Sequence, residues 1–210
     1  MKNKKIFYFW GSGGAAEEIK EVISDNFKNK NYRIIYINKK NTKKQIVKKI
    51  NFYKKRKNLC YGIVASGNPA IREKMFNEIK KLKLKTIKLI HSTSHISSKA
   101  KIEAGCIIST FCSISPRAII KKGCFINKHC SIDHDTSIGA YSVLSPGSRV
   151  SGNVKVGLRS FMGTNSVALP GIKIGNDVKV SAGVTLSRNV SNGSTVLFRN
   201  EIKIFSHMSV

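Results

Sequence analysis

Two stretches of the chain hold residues whose types and spacing suit chemistry. In the first, Gly11-Ser12-Gly13-Gly14-Ala15-Ala16 closes an apolar run and opens a helical pattern. Such a turn can offer backbone N–H groups to an anion. Written G-x-G-x-x-A, it is the dinucleotide fingerprint. A nicotinamide site also needs an acid at the end of the second strand, about 20 residues on, to hold the ribose hydroxyls. Here that strand runs into Asn38-Lys39-Lys40. The pattern therefore describes half a site, suited to a mononucleotide or a sugar, formed by Gly11, Ser12, Gly13, Gly14, Asn38, Lys39, Gly67 and Asn68. A turn that needs glycine only for close packing is the alternative. In the second stretch His134 stands between Asp133 and Asp135. With an ordinary pKa of about 6.5, a histidine can take a proton at neutral pH.

His129, Cys130 and His134 lie near one another in sequence, but the repeat described next sends them in different directions, and no metal is expected.

From residue 95 the chain divides into sixes without a gap. The second place is aliphatic in sixteen successive repeats, from Ile96 through Ile102, Ile120, Ile138, Val156 and Ile174 to Leu186, with Ala168 the smallest. The sixth place is small or β-branched throughout. Neither a helix nor an alternating strand has this period, whereas hexapeptide repeats of a parallel β-helix do. Three short sides make a coil of eighteen residues, so Ile102, Ile120, Ile138, Val156 and Ile174 should stack as one ladder at about 4.8 Å spacing. Cys106 and Cys124, like Cys112 and Cys130, are eighteen apart and should sit on adjacent coils as small, reduced interior packers.

The first half alternates strand and helix. Strands are expected over 5–10, 32–38, 59–67 and 86–91, and helices over 15–27, 42–53 and 69–82. Asn41 and Asn68 are the expected N-caps, and Pro69 the first residue of the third helix. The apolar face of that helix reads as Ile71, Met75, Ile79 and Leu82. The product is a small Rossmann-like parallel sheet. The expected fold class is thus α/β plus β, with a Rossmann-like unit over 1–94 and a β-helix over 95–210.

Formal net charge is +27, and 30 of the 38 basic residues are lysines, scattered rather than clustered. A nucleic-acid reader would cluster its cations, favour arginine and interleave aromatics, so nucleic acid is not an expected partner. The scattered lysines read as a solvated surface, or as a positive potential that draws in small anionic substrates. No apolar run is long enough to span a membrane, no signal peptide is read at the N-terminus, and the cytoplasm is the expected location.

A Rossmann-like unit of about 90 residues followed by hexapeptide repeats resembles the sialic acid O-acetyltransferase family, NeuD, with its amino-sugar N-acetyltransferase relatives of the PglD type. The stretches that carry the resemblance are "YFWGSGGAAEEI", "VASGNPAIREKMF", "IKLIHSTSHIS", "SIDHDTSIGAYSVLSPGSRVSGNVKVG" and "FMGTNSVALPGIKIG". It implies a left-handed β-helix, a homotrimer, and acetyl-CoA as co-substrate in the crevice between neighbouring β-helices. It further implies a nucleotide sugar or a sialic-acid-type molecule on the Rossmann-like unit. The catalytic histidine of the family carries over to His134, in Ile132-Asp133-His134-Asp135-Thr136-Ser137-Ile138-Gly139. Asp135 would then orient the ring and raise its basicity. Acetyl-CoA contacts carry over to Gly152, Thr164 and Ala182, and the Gly152 N–H is also suited to the oxyanion.

Departures from the family fall at Val143, where some relatives have a second histidine, at Ala15, and at Asn38 and Lys39. The usual ending beside the CoA tail is also missing, and Arg199 or Lys203 would have to meet a CoA phosphate. The expected activity is acetyl transfer to the amine of a nucleotide-linked amino sugar. A hydroxyl of a sialic or related acid, whose carboxylate would suit Lys39, is the second candidate. A non-catalytic trimeric scaffold that binds sugar is the third.

Overall fold

The computed structural model describes residues 4–28, 31–38, 40–55 and 57–197. Lys39, Arg199 and Lys203 lie outside the described residues. Strands β1 (Lys5–Trp10), β2 (Tyr32–Ile37) and β3 (Leu59–Val64) form a parallel sheet in the order β2-β1-β3. Central β1 is a continuous apolar run because both its faces are covered. Ile6, Tyr8 and Trp10 face a cluster with Ile46, Ile50 and Ile79, while Phe7 and Phe9 join Ile19, Val22 and Ile23.

Helix α1 (Gly14–Asn26) buries the residues its periodicity predicts: Ala16, Ile19, Val22 and Ile23. Helix α2 (Lys43–Lys55) is capped one residue later than expected. Thr42 Oγ1 accepts from Gln45 N at 3.3 Å while Gln45 Oε1 accepts from Thr42 N at 3.0 Å, a capping box. Asn41 Oδ1 instead accepts from Asn38 N. Helix α3 (Pro69–Lys81) is capped by Asn68, whose Oδ1 accepts from Ile71 N at 3.0 Å. Its buried face is turned by one residue from the expected one. Arg72, Phe76 and Ile79 point inward and Ile71 is exposed.

The cause of that rotation is Arg72, which has no exposed surface. Its Nε donates to Gly123 O at 2.8 Å, and its Nη1 to Ser66 O at 2.6 Å and Val64 O at 3.3 Å. Burial among carbonyls lowers its pKa to about 10, so it stays charged at neutral pH. One guanidinium thus ties the end of β3 to the second half of the molecule.

The strand expected over 86–91 does not extend the sheet. Lys85 makes a single bridge to Tyr61, while β4 (Leu89–Ile90) pairs with Ile107–Ile108. The six residues Leu89 to Ser94 already obey the hexapeptide grid, and Ile90 takes the inward place one repeat ahead of Ile96.

Beyond β4 the described chain winds into a triangular solenoid of two-residue strands. Its three parallel sheets have seven, six and five strands. The first contains Phe125–Ile126, the second Ser131–Ile132 and the third Ser137–Ile138. The ladder Ile102, Ile120, Ile138, Val156, Ile174 forms as expected. Each enclosed aliphatic side chain contributes about 1.5–3 kcal/mol by leaving water. Near the end the period shortens: Val190 bridges Ile174 and Val196 pairs with Val180, both sixteen residues apart rather than eighteen.

Two side-chain devices set the corners and the coil spacing. The fifth place of every repeat from Gly105 to Gly183 has φ between 53° and 76°, the left-handed turn that closes each corner. In nine repeats the sixth place supplies a donor. Ser94, Cys106, Cys112, Cys124, Cys130, Thr136, Ser142, Ser148 and Ser160 each reach the carbonyl fifteen residues on, at 2.5–3.1 Å. The cysteines are therefore hydrogen-bond donors as well as packers. All five are free, and burial pushes the Cys124 thiol well above its ordinary value.

The α/β unit covers one face of the solenoid, where Leu89, Ile107, Phe125 and Val143 pack with Phe7, Phe9 and Ile19. It also grips the edge between the third and first sheets. Phe76 meets Tyr141 at a ring separation of 5.4 Å, and Glu73 accepts from Arg159 at 2.9 Å.

Candidate active site

His134 sits in the turn between the second and third sheets, the edge opposite the face that carries the α/β unit. Its side chain is 55 % exposed. The fixed backbone on both sides of the turn holds the residue in place: Asp133 N donates to Val150 O and Asn153 N to His134 O. Nδ1 lies 2.9 Å from Asp135 Oδ2. With the proton on Nδ1, Nε2 keeps its lone pair for an incoming proton. Asp135 is itself held by Arg117, whose Nε and Nη2 donate to Oδ1 and Oδ2 at 2.6 and 2.7 Å. The Arg117 guanidinium, with the His134 ring, holds the Asp135 carboxyl well below the usual range. Arg117 was not picked out by the sequence. Its signal is its place eighteen residues before Asp135.

Gly152 occupies the same place as His134 on the next coil, eighteen residues on, and lies against the ring. It belongs to the same edge as the imidazole and is buried beneath it. Thr164 and Ala182 are exposed neighbours on the edge between the first and second sheets, where Gly183 N donates to Thr164 O. One chain therefore sets Gly152 and Thr164 on opposite edges of one face and does not bring the three together.

On the α/β unit Gly11, Ser12 and Asn38 line a cleft of about 400 Å³ with Trp10, Asn41, Met75 and Glu78. The glycines divide by cause. Gly11 has φ +115°, and a Cβ there would lie 2.3 Å from Ala65 O, so its need is close packing. Gly13, Gly14 and Gly67 face open space. Gly13 caps α1 without a side chain, which leaves the helix N-terminus open to a ligand. Asn68 is committed to its cap, and Asn38 Oδ1 accepts from Lys40 N. Trp10 Nε1 is buried without a hydrogen-bond partner among the described residues.

Val143 is buried under the α/β unit rather than at the His134 edge. His129 stacks on Phe111 with ring centroids 5.2 Å apart, and Cys130 is buried, so neither turns toward His134. Among the described residues no group of three His, Cys, Asp or Glu side chains is placed to hold a metal ion. No described helix is long and apolar enough to cross a membrane.

The fold and this edge define a hexapeptide-repeat β-solenoid preceded by a small α/β unit. Residues 153–188 match the hexapeptide repeat of succinyl-transferase. Three solved structures share nearly the whole architecture, which is that of a left-handed β-helix acetyltransferase. The acetyltransferase domain of PglB from Neisseria gonorrhoeae FA1090, in complex with acetyl coenzyme A, superposes with a TM-score of 0.82 at 21% identity, over 92% of this chain and 96% of that one. PerB from Caulobacter crescentus, in complex with CoA and GDP-perosamine, gives 0.80 at 22%, over 90% and 92%. WeeI from Acinetobacter baumannii AYE gives 0.80 at 20%, over 92% and 96%.

Proposed function

We propose that the chain is an acetyl-CoA-dependent acetyltransferase acting on the amine of a nucleotide-linked amino sugar, with His134 as general base. The observation that carries the reading is the His134–Asp135 pair on a rigid, exposed corner with Gly152 against the ring. The bound molecules of the PglB domain and PerB structures, acetyl coenzyme A in one and CoA with GDP-perosamine in the other, support the substrate classes.

In the proposed step the acceptor nitrogen attacks the thioester carbon and His134 Nε2 takes its proton. The Gly152 N–H receives the oxyanion. The intermediate collapses, the C–S bond breaks, and the imidazolium returns the proton to the departing thiolate. No covalent acyl-enzyme is needed.

Gly13, Gly14 and Gly67 would hold the nucleotide sugar, with Ser12 and Asn38 in the adjoining cleft. That cleft belongs to the unit on the far side of the solenoid from His134. A complete site then needs a second copy, in keeping with a homotrimer in which Gly152 of one chain faces Thr164 and Ala182 of the next. The hydroxyl-acceptor reading rests on Lys39, which lies outside the described residues.

The test is CoA thiol release from acetyl-CoA across a panel of nucleotide amino sugars and sialic acids, with His134→Ala in parallel. Turnover with one acceptor should fall about 10²–10⁴-fold in the variant. Full activity in His134→Ala would overturn the mechanism, and a wild-type protein that binds no acetyl-CoA would favour a scaffold.

A further inference from the structure

We propose that Arg117 is a positioning residue for His134, acting through Asp135; the inference rests on the reading of His134 as the base. Arg117 and Asp135 occupy the fifth place of their repeats, eighteen residues apart, with φ of 61° and 59°. Their side chains therefore leave the same edge from adjacent coils and meet side by side. The guanidinium fork takes both carboxylate oxygens at 2.6 and 2.7 Å, which fixes the plane of the carboxylate. Oδ2 is shared with His134 Nδ1 at 2.9 Å. The order of control thus runs from guanidinium to carboxylate to ring.

A second pair shows what the same geometry does as structure alone. Arg159 grips Asp177, also eighteen residues on, with both bonds at 2.6 Å. Its remaining arm reaches Glu73 on α3 and so anchors the α/β unit. The Arg117 clamp ends on the imidazole instead.

The clamp also adjusts charge. Asp133 and Asp135 flank His134 in its own turn, Arg117 comes from the preceding coil, and the following coil offers only Gly152 and Asn153. Arg149 and Lys155 are exposed on the two adjoining faces. By taking both oxygens of the Asp135 carboxylate, Arg117 offsets the negative charge that faces the ring.

The test follows the His134 Cε1–H signal by NMR across pH, with His134→Ala identifying it among the five histidines. In Arg117→Gln the midpoint should rise by about half to one unit, because the carboxylate now acts on the ring unopposed. The kcat should fall about tenfold with little change in KM for acetyl-CoA, because the ring is less well held. Arg117→Lys should restore the midpoint but not the full rate, since an ammonium cannot make the fork. Arg159→Gln should lower the melting temperature and leave the midpoint alone.

An unmoved midpoint in Arg117→Gln, or an equal shift in Arg159→Gln, overturns the proposal. Were Arg117→Gln not to fold, wild-type kcat in Arg117→Lys would do the same. The titration needs no turnover. A shifted midpoint in a protein without acetyl transfer would leave the clamp standing and remove the enzymatic reading.

Discussion

Gly152 lies against the imidazole of His134: a Cβ built on it would stand 2.8 Å from both Cε1 and Nε2. The glycine is needed for the room it leaves, since its φ is one any residue can adopt. Gly152→Ala should therefore fold, tilt the ring away from Asp135, and lose about 10- to 100-fold in kcat. Gly163→Ala is the contrast, because its Cβ would meet backbone, with Ala182 N at 2.5 Å, and should lower the melting temperature instead. Wild-type kcat in Gly152→Ala would show that the ring does not work in the position seen.

Arg72 joins the two halves by donating to backbone carbonyls, with its guanidinium 5.4 Å over the Phe125 ring. Arg72→Met would keep much of the volume but leave Gly123 O and Ser66 O without their charged donor. The expected loss is about 2–4 kcal/mol, read from the urea midpoint. Lysine should rescue little, because one ammonium cannot span both carbonyls. An unchanged midpoint in Arg72→Met would mean that the apolar contacts of Phe76 and Phe125 hold the halves together by themselves.

The solenoid was legible because its inward place repeats strictly, and from Ile108 to Leu186 that place is buried. Its first strand was not, because Leu89–Ile90 reads equally well as the last strand of the α/β sheet, and only pairing with Ile107–Ile108 decides. The face of α3 was misread for a related reason. Periodicity assigns Ile71 inward and Arg72 outward, yet carbonyls fifty residues away reverse them. At the site, the motif pointed to His134 and Asp135. Arg117 was missed because its role comes from coil stacking rather than from neighbours in sequence. The glycine-rich turn divides by cause: Gly11 is needed for close packing, while Gly13 and Gly14 face open space.

The sixth-place donors predict an order of tolerance. Ser160 Oγ donates to Gly175 O at 2.7 Å and accepts from Val178 N at 3.2 Å. Ser160→Ala leaves both buried groups without that partner and should cost about 1–3 kcal/mol. Cys106→Ser keeps a donor toward Lys121 O and should cost less. Equal losses in thermal denaturation would mean that volume, not hydrogen bonding, governs this place.

Asp25 predicts how acid acts on the joint between the two halves. Its carboxylate accepts from Ser92 N and Ser92 Oγ, both at 2.7 Å, and pairs with Lys28 at 2.9 Å, linking α1 to the loop after β4. Burial pushes this carboxyl up, but those three donors outweigh it and hold it well below the usual range. A folded value lowered in this way stabilises the protein fully above the unfolded value of about 3.9 and is lost as pH falls toward the folded one. Asp135 is lowered by Arg117 and Asp177 by Arg159, so all three lose their contribution on the acid side. The melting temperature should be flat between about pH 5 and 7 and fall below about pH 4. Asp25→Asn should melt earlier at pH 6, and the gap to wild type should narrow as the pH drops. A gap that stays constant down to pH ~3 would show that the Asp25 charge adds nothing to its hydrogen bonds.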